Sequence, residues 1–396
     1  MEQEKDIVQA IAKYQFADVF QMIANGEKIP DSANYYAIRA LYEKMVEQKR
    51  FDLLHLLIDR KEIPTDLYEY DTFKDSVLET VIKRMAVDDD SLKELEQLVG
   101  RFTNIIEEVR GQTLLGYAVN EKVKPGIIQS LIRAGCDARW KNMAENNLIA
   151  QSVNLTMMPI EEQLAYINIF LAAGVDPADV NVEKKNALHL ASERHKIELI
   201  QLLLDAGARP NEQDWKGNTP YYYAIIHTGG GEEFYNKMAA VEPPNFTLVN
   251  NARETLLSAF LGCMHSSDKQ IALLERMIDE GADLEQAADY YSRPKTGWAW
   301  MAEKPVEVLQ AVLSKTGRDI NAQDNEGNTL LHMICRIDCN YSHEAAKEMY
   351  KKVKFLLEAG ADAGITNNKE ETALMLASAD NFKGKIVQLL LSTKKQ

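Results

Sequence analysis

The chain has 396 residues, of which 46% are apolar and 27% charged, which excludes a disordered protein and fits a few globular domains or one long repeat array. Sixty Asp and Glu stand against 45 Lys and Arg, a net charge of −15, which argues against a protein that coats nucleic acid. If a partner is charged, it should be basic. Four scattered cysteines (Cys136, Cys263, Cys335 and Cys339) are too few for a disulfide framework. The start, MEQEKD, shows no signal peptide, and no stretch approaches the roughly 18 apolar residues of a spanning helix. The expected location is the cytoplasm.

From the N-terminus onward, apolar stretches at helical spacing end at regular marks. VFQMIANG closes at Gly26, LLHLLIDRK at Lys61, and a weaker copy at Phe102. IIQSLIRAG, YINIFLAAG and LIQLLLDAG follow, closing at Gly135, Gly174 and Gly207. Later copies end at Glu242, Gly281, Gly317, Gly360 and Lys394, so the spacing is a period near 33 residues with surface insertions. Between these marks a polar residue opens the other helix of each unit, the first. It is Thr113, Asn147, Asn186, Thr219, Thr255, Thr296, Thr329 or Thr372, with fainter starts near Asn34 and Ser76. Each such side chain predicts an N-cap, and Pro220 after Thr219 suits the first helical position. Glycine after the second helix allows a left-handed cap. Each unit is then helix, tight turn, helix, cap and extended loop. Insertions are placed at Gly229–Glu233, Pro243–Asn245 and Asp338–Glu344.

The segments NALHLASERHKIELIQLLLDAGARPNEQDWKGNTP, DNEGNTLLHMI and LLEAGADAGITNNKEETALMLAS resemble the ankyrin repeat family, with its TPLH and GA-x-x-N signatures. The resemblance covers residues 113–396 and implies an all-α ankyrin-repeat solenoid of about ten to eleven helix-turn-helix units, degenerate at the N-terminal end. Residues 1–107 read as degenerate ankyrin-like helical units and a cap, 108–366 as repeats, and 367–396 as a C-terminal capping repeat. In such a stack the terminal units carry a polar outer face, with the LLL of IVQLLLSTKKQ turned inward.

No nucleotide, zinc-protease or hydrolase motif occurs. Gly229–Gly231, followed by Glu232 and Glu233, reads as a flexible insertion, because the carboxylates would repel a phosphate. His332, Cys335, Cys339 and His343 have spacings that could line one helical face. His332, like His189, occupies the family's structural histidine position, Cys335 reads as a packed thiol, and His343 should fall on an inserted loop. Asp88–Asp90 reads as a helix-capping turn and His55 as part of a core helix. Glu107–Glu108 and Glu232–Glu233 are neighbours in loops and do not converge on one atom. No catalytic residue, metal site or cofactor is expected, and the protein is not expected to be an enzyme.

The resemblance implies recognition of another protein through loop tips and the adjoining first helices. Residues needed for neither capping nor core are free to make contact there. They are Trp140; Glu183, Glu193 and Arg194, with Lys185 beside them; Trp215, Lys216, Asn218, Tyr222 and His227; Tyr290, Tyr291 and Arg293; and Asn325, Glu326 and Arg336, with Asn328 beside them. Trp215 leads, because loop-tip indoles anchor interfaces. Trp140 and Trp215 could instead fold back over neighbouring loops, and Trp298 and Trp300 should be core. The partner expected is another protein, and the acidic balance points to a basic one. No nucleic acid, membrane or small-molecule substrate is expected, and the chain should be a monomer. Narrower versions are an inhibitor or immunity-type protein that blocks a basic toxin or enzyme, and a secreted effector or adaptor. An enzyme with a catalytic N-terminal domain is the remaining alternative, and residues 1–110 offer it only His55 and no cysteine.

Overall fold

The computed structural model describes residues 6–29, 33–226, 231–290 and 293–393. Among these, 22 α-helices form eleven pairs in two compact units, Met1–Arg209 and Pro210–Gln396. The first unit holds six pairs: α1 (Ile7–Ala12) with α2 (Phe16–Ala24), α3 (Tyr35–Glu47) with α4 (Phe51–Asp59), and α5 (Val77–Arg84) with α6 (Asp89–Val99). Then come α7 (Leu114–Asn120) with α8 (Pro125–Arg133), α9 (Leu148–Asn154) with α10 (Ile160–Ala172), and α11 (Ala187–Glu193) with α12 (Ile197–Asp205). The second unit holds α13 (Pro220–Ile226) with α14 (Glu232–Ala239), α15 (Leu256–Cys263) with α16 (Asp268–Asp279), and α17 (Gly297–Glu303) with α18 (Val306–Thr316). It ends with α19 (Leu330–Arg336) and α20 (His343–Glu358), then α21 (Ala373–Ser378) and α22 (Gly384–Thr393).

The short first helices persist because a side chain caps their start and packing covers their length. Side-chain oxygens of Asn34, Ser76, Thr113, Asn147, Asn186, Thr255, Thr296 and Thr372 accept first-turn amides, and Thr219 accepts that of Tyr222 at 3.3 Å. Beyond α20, Gly360 takes φ 96°, the left-handed turn that ends the helix. Where the repeat pattern is weaker, Lys61 adopts the same hand at φ 59°. Within each unit first helices pack on first helices, as α7 on α9 and α17 on α19. Second helices pack on second helices, as α6 on α8 and α16 on α18. Within each unit the core is a seam between pairs. Leu54, Leu57, Leu115, Phe170 and Leu203 fill it in the first unit, and Tyr235, Phe260, Leu274, Met301 and Val312 in the second. Trp298 and Trp300 belong to that core, 3% and 6% exposed.

A second tie recurs between consecutive pairs. A lysine at or near the start of a second helix reaches back to the carbonyl end of the preceding pair's first helix. Lys196 Nζ donates to the carbonyls of Val153 at 2.8 Å and Leu155 at 2.7 Å. Lys304 donates to Met264 O at 3.1 Å and Lys383 to Cys335 O at 2.9 Å. Lys352, from the middle of α20, donates to Ala302 O at 2.5 Å. Each ammonium meets helix-end carbonyls that have no partner within their own helix, where the dipole favours a cation. The tie runs against desolvation, which pushes the Lys352 pKa down to about 8 and lowers those of Lys196 and Lys304 as well.

Several local expectations give way to packing. Residues 287–296 are not a plain loop: β1 (Ala287–Tyr290) and β2 (Arg293–Thr296) form an antiparallel hairpin, with Ala287 opposite Thr296 and Asp289 opposite Pro294. Glu232 and Glu233 open α14, where acidic side chains suit a helix start, so they do not belong to a loop. His343 is the first residue of α20, capped by Ser342, because the inserted loop closes one residue earlier. In the last helix Leu390 is buried while Leu391 is 48% exposed, so only part of the LLL run faces inward. Asp88 does cap α6, and the Ser91 amide with the Lys49 ammonium holds its carboxyl down to about 2.

Candidate functional site

The side chains with chemical potential are held by structure. Burial pushes the Cys136 and Cys335 thiols up to about 12, far from a reactive thiolate. Cys339 is buried with its sulfur 3.8 Å from Met349 Sδ, and His343 stacks on Phe382 at 5.0 Å between centroids. His332 Nε2 donates to the Glu371 carbonyl at 3.1 Å, and Nδ1 lies 2.8 Å from the Thr329 hydroxyl. Both nitrogens are therefore occupied, and desolvation lowers the pKa of this ring. Among the described residues no three His, Cys, Asp or Glu side chains come together as metal ligands would. His55 is fixed between α4 and α6, with Nε2 on Glu94 and Nδ1 3.1 Å from the Arg101 guanidinium.

His189 and His332 sit three residues after their N-caps and lock the corner where a loop enters a first helix. His189 Nδ1 lies 2.7 Å from Asn186 Oδ1. Tyr222 occupies the same slot in α13 and carries the link outward, its hydroxyl donating to Glu254 Oε2 at 3.0 Å. Burial, followed by the Glu254 carboxylate, raises the pKa of that phenol. In α7 the slot holds Gly116, and the ring of Trp140 fills the vacancy. A Cβ on Gly116 would lie 2.3 Å from Trp140 Cζ3. The Trp140 indole also donates to Glu108 Oε1 at 2.6 Å, so this tryptophan folds over its neighbour and is not a free anchor.

The loop tips share one construction. Asn142, Asn181, Asp214 and Asp324 each turn a side-chain oxygen back onto two amides of their own loop, as Asp214 Oδ1 does with Lys216 and Asn218 at 2.8 and 2.9 Å. Consecutive loops are then joined by asparagine pairs. Asn181 Nδ2 donates to Asn146 at 3.0 Å, Asn250 to Asn218 at 3.0 Å, and Asn367 to Asn328 at 3.1 Å. Asn218 and Asn328 are thus buried rungs and not contact positions, a correction to the sequence reading. Replacing Asn250 by alanine should cost about 1–2 kcal/mol, because it leaves buried partners unpaired. Urea unfolding checks this. An unchanged midpoint would mean that the ladder carries no stability.

The remaining sequence-selected residues divide by exposure. Trp215 is 58% exposed at its tip, and Lys216 beside it is exposed. Glu183 and Arg194 are exposed, Arg194 donating to Asn154 at 2.6 Å. Lys185 is buried between Glu183 at 3.3 Å and Glu193 at 2.9 Å, so this trio is internally paired. Tyr290 and Arg293 face each other as backbone partners across the hairpin. His227 and Tyr291 lie outside the described residues. Asn325, Glu326 and Arg336 come together on one groove of about 520 Å³ in the second unit. Ala299 and Ala302 of α17, Met333 of α19 and Ile337 just after it give it an apolar floor, while Glu303, Asp324 and Glu326 line it with carboxylates. Arg336 reaches Asn328 at 2.8 Å and Glu326 at 3.4 Å. Met143 and Val182, which residue type alone does not mark as contacts, are 89% and 61% exposed. They follow Asn142 and Asn181 as Trp215 follows Asp214, so the register of the tip turn was the signal that finds them. The Val182 amide bonds to Ala144 O at 3.1 Å, which places these two tips side by side.

Paired helices, the histidine corner and the tip turns repeat with a single register, and a family model for ankyrin repeats (3 copies) matches residues 157–239. The chain carries ankyrin repeats. Each of its units is a run of an all-α ankyrin solenoid. The chain is similar to the ankyrin repeat protein FPV219 of fowlpox virus (strain NVSL), with 38% identity over 87 residues, covering 22% of this chain and 18% of that protein. It is also similar to Rabankyrin-5 of Homo sapiens, with 28% identity over 171 residues, covering 39% of this chain and 14% of that protein. The chain thus spans less than a fifth of the length of these curated relatives. Among solved structures, the ankyrin repeat domain of Bcl-3 aligns with 62% of this chain and 98% of its own, at 20% identity and a TM-score of 0.47. Ankyrin repeats are a protein–protein interaction module, which sets the general class of this chain.

Proposed function

We propose that the chain is a non-enzymatic recognition protein whose second unit holds a partner protein against the groove between α17 and α19 and against the tip carrying Trp215. The observation that carries this reading is the groove itself: an apolar floor of four side chains, rimmed by three carboxylates and one arginine. Such a lining combines area to bury with polar groups that fix orientation. Its balance of carboxylates supports a basic segment as the occupant, and hence an inhibitor of a basic protein over an adaptor. The four cysteines are free thiols, which supports a reducing compartment such as the cytoplasm.

Affinity enrichment with the full chain, compared with its Trp215→Ala and Glu326→Lys variants, tests the reading. Both side chains are exposed, so the stability of each variant should stay within about 0.5 kcal/mol of the parent. The affinity for the captured partner should fall about tenfold in Trp215→Ala. Capture that neither substitution weakens would sink the proposed surface.

A further inference from the structure

At the far end of the second unit lies a cleft of about 770 Å³ that the recognition groove does not use. Helix α20 runs 16 residues, whereas α22 runs ten. A 3-10 turn, Asn381–Lys383, packs on α20, and the cleft opens between the first two turns of α20 and the start of α22. Phe382 and the buried Ile386 line it, with His343 and Tyr350 on the α20 side. Lys347 and Lys385 flank it. Both are exposed, and neither makes an ion pair among the described residues.

The cleft is rigidly built. Lys383, next to Phe382, is buried and donates to Cys335 O at 2.9 Å, which fixes the turn that presents the ring. On the other side Cys339 is buried, and its amide bonds to Asp380 Oδ2 at 3.1 Å. Asn340 and Tyr341 follow at φ 47° and 57°, a left-handed pair that non-glycine residues adopt only when the surroundings hold them there. That turn lays Tyr341, 87% exposed, against Phe382 at 5.8 Å. The segment that carries Phe382 and Lys385 is net basic while the chain as a whole is acidic, and on α20 Glu344 and Glu348 lie beside Lys347. Residues 351–396 carry 8 Lys and Arg against 5 Asp and Glu, while the whole chain is at −15.

We infer that this cleft is a second docking site, for an acidic peptide segment that inserts an aliphatic or aromatic side chain against Phe382 and Ile386. Lys347 and Lys385 would meet its carboxylates. A net negative molecule repels an extended polyanion at long range, which favours a short acidic segment over nucleic acid.

The test is a random short-peptide library displayed on phage, panned on the full chain and counter-panned on a Lys347→Glu/Lys385→Glu variant. Both lysines are exposed, so this variant should fold, as circular dichroism checks. Peptides that bind the parent and not the variant should be rich in Asp and Glu and carry Phe, Leu or Ile. Their affinity should fall about tenfold in Phe382→Ala and weaken with added salt. No variant-sensitive peptides, or sensitive peptides without acidic enrichment, would overturn the inference. Tighter, variant-sensitive binding of an oligothymidylate would overturn it in favour of nucleic acid. Trp215→Ala leaves this binding unchanged, so the outcome is separate from that at the α17–α19 groove.

Discussion

Gly327→Ala should destabilise the second unit by about 2–4 kcal/mol, read as a lower midpoint in urea. Gly327 sits in the tip turn at φ 78°, where a side chain costs about 1 kcal/mol. The larger share comes from the next loop. A Cβ here would lie 2.8 Å from the Asn368 amide nitrogen and 3.1 Å from the Asn367 carbonyl carbon, which is backbone that cannot swing away. Relief requires the two loops to part. That movement strains the Asn368 amide bond to Glu326 O at 3.0 Å and the Asn367 bond to Asn328 at 3.1 Å. Gly360 supplies the control, because at φ 96° it has nothing within 4 Å of an added Cβ. Gly360→Ala should therefore show the conformational cost alone, about 1 kcal/mol. Equal losses in both variants would mean that the loop ladder is not under tension at Gly327.

Between pH 8 and pH 9.5 the parent should gain stability relative to Lys352→Met. Lys352 is 3% exposed, and desolvation brings its pKa from 10.5 down to about 8, partly offset by Glu348 and Glu303. Between these values the unfolded chain holds the proton and the folded chain has released it. The unfolded state binds more protons there, so stability increases with pH. The shift is equivalent to about 3 kcal/mol over the whole window, of which about 1–2 kcal/mol is realised by pH 9.5. Lys196 and Lys304 act in the same direction, since burial lowers their pKa values too. Buried thiols such as Cys136 and Cys335 oppose the trend within this window, and buried phenols such as Tyr222 at higher pH, because their raised pKa values favour the folded state's protons. The informative quantity is thus the difference between the parent and Lys352→Met, measured by thermal unfolding at matched ionic strength. Parallel pH profiles would show that Lys352 titrates as an exposed lysine.

The repeat architecture was legible because period and capping arise from local rules. The second-helix marks at Gly26, Gly207 and Gly360 fall just beyond α2, α12 and α20, which end at Ala24, Asp205 and Glu358. What stayed hidden depends on partners about one repeat away in sequence. Asn218 has no cap or core role in its own repeat, and its bond comes from Asn250, so its sequence neighbourhood looks free. Trp140 reads as a loop-tip anchor until Gly116 is recognised as a vacant histidine slot, 24 positions earlier, that the indole fills. The hairpin at 287–296 was obscured by Pro294, a residue that argues against a strand and is tolerated in a two-stranded ribbon. The candidate groove was only partly readable. Asn325, Glu326 and Arg336 were selected one by one, and their assembly with α17 depends on how consecutive pairs stack.

The central claim is that the second unit binds protein through its tips and the α17–α19 groove. Hydrogen–deuterium exchange of the full chain, free and saturated with its captured partner, tests this most directly. The account predicts slowed exchange at residues 214–218, 287–303 and 324–337. Protection confined to residues 6–113, or spread evenly over both units, would contradict it.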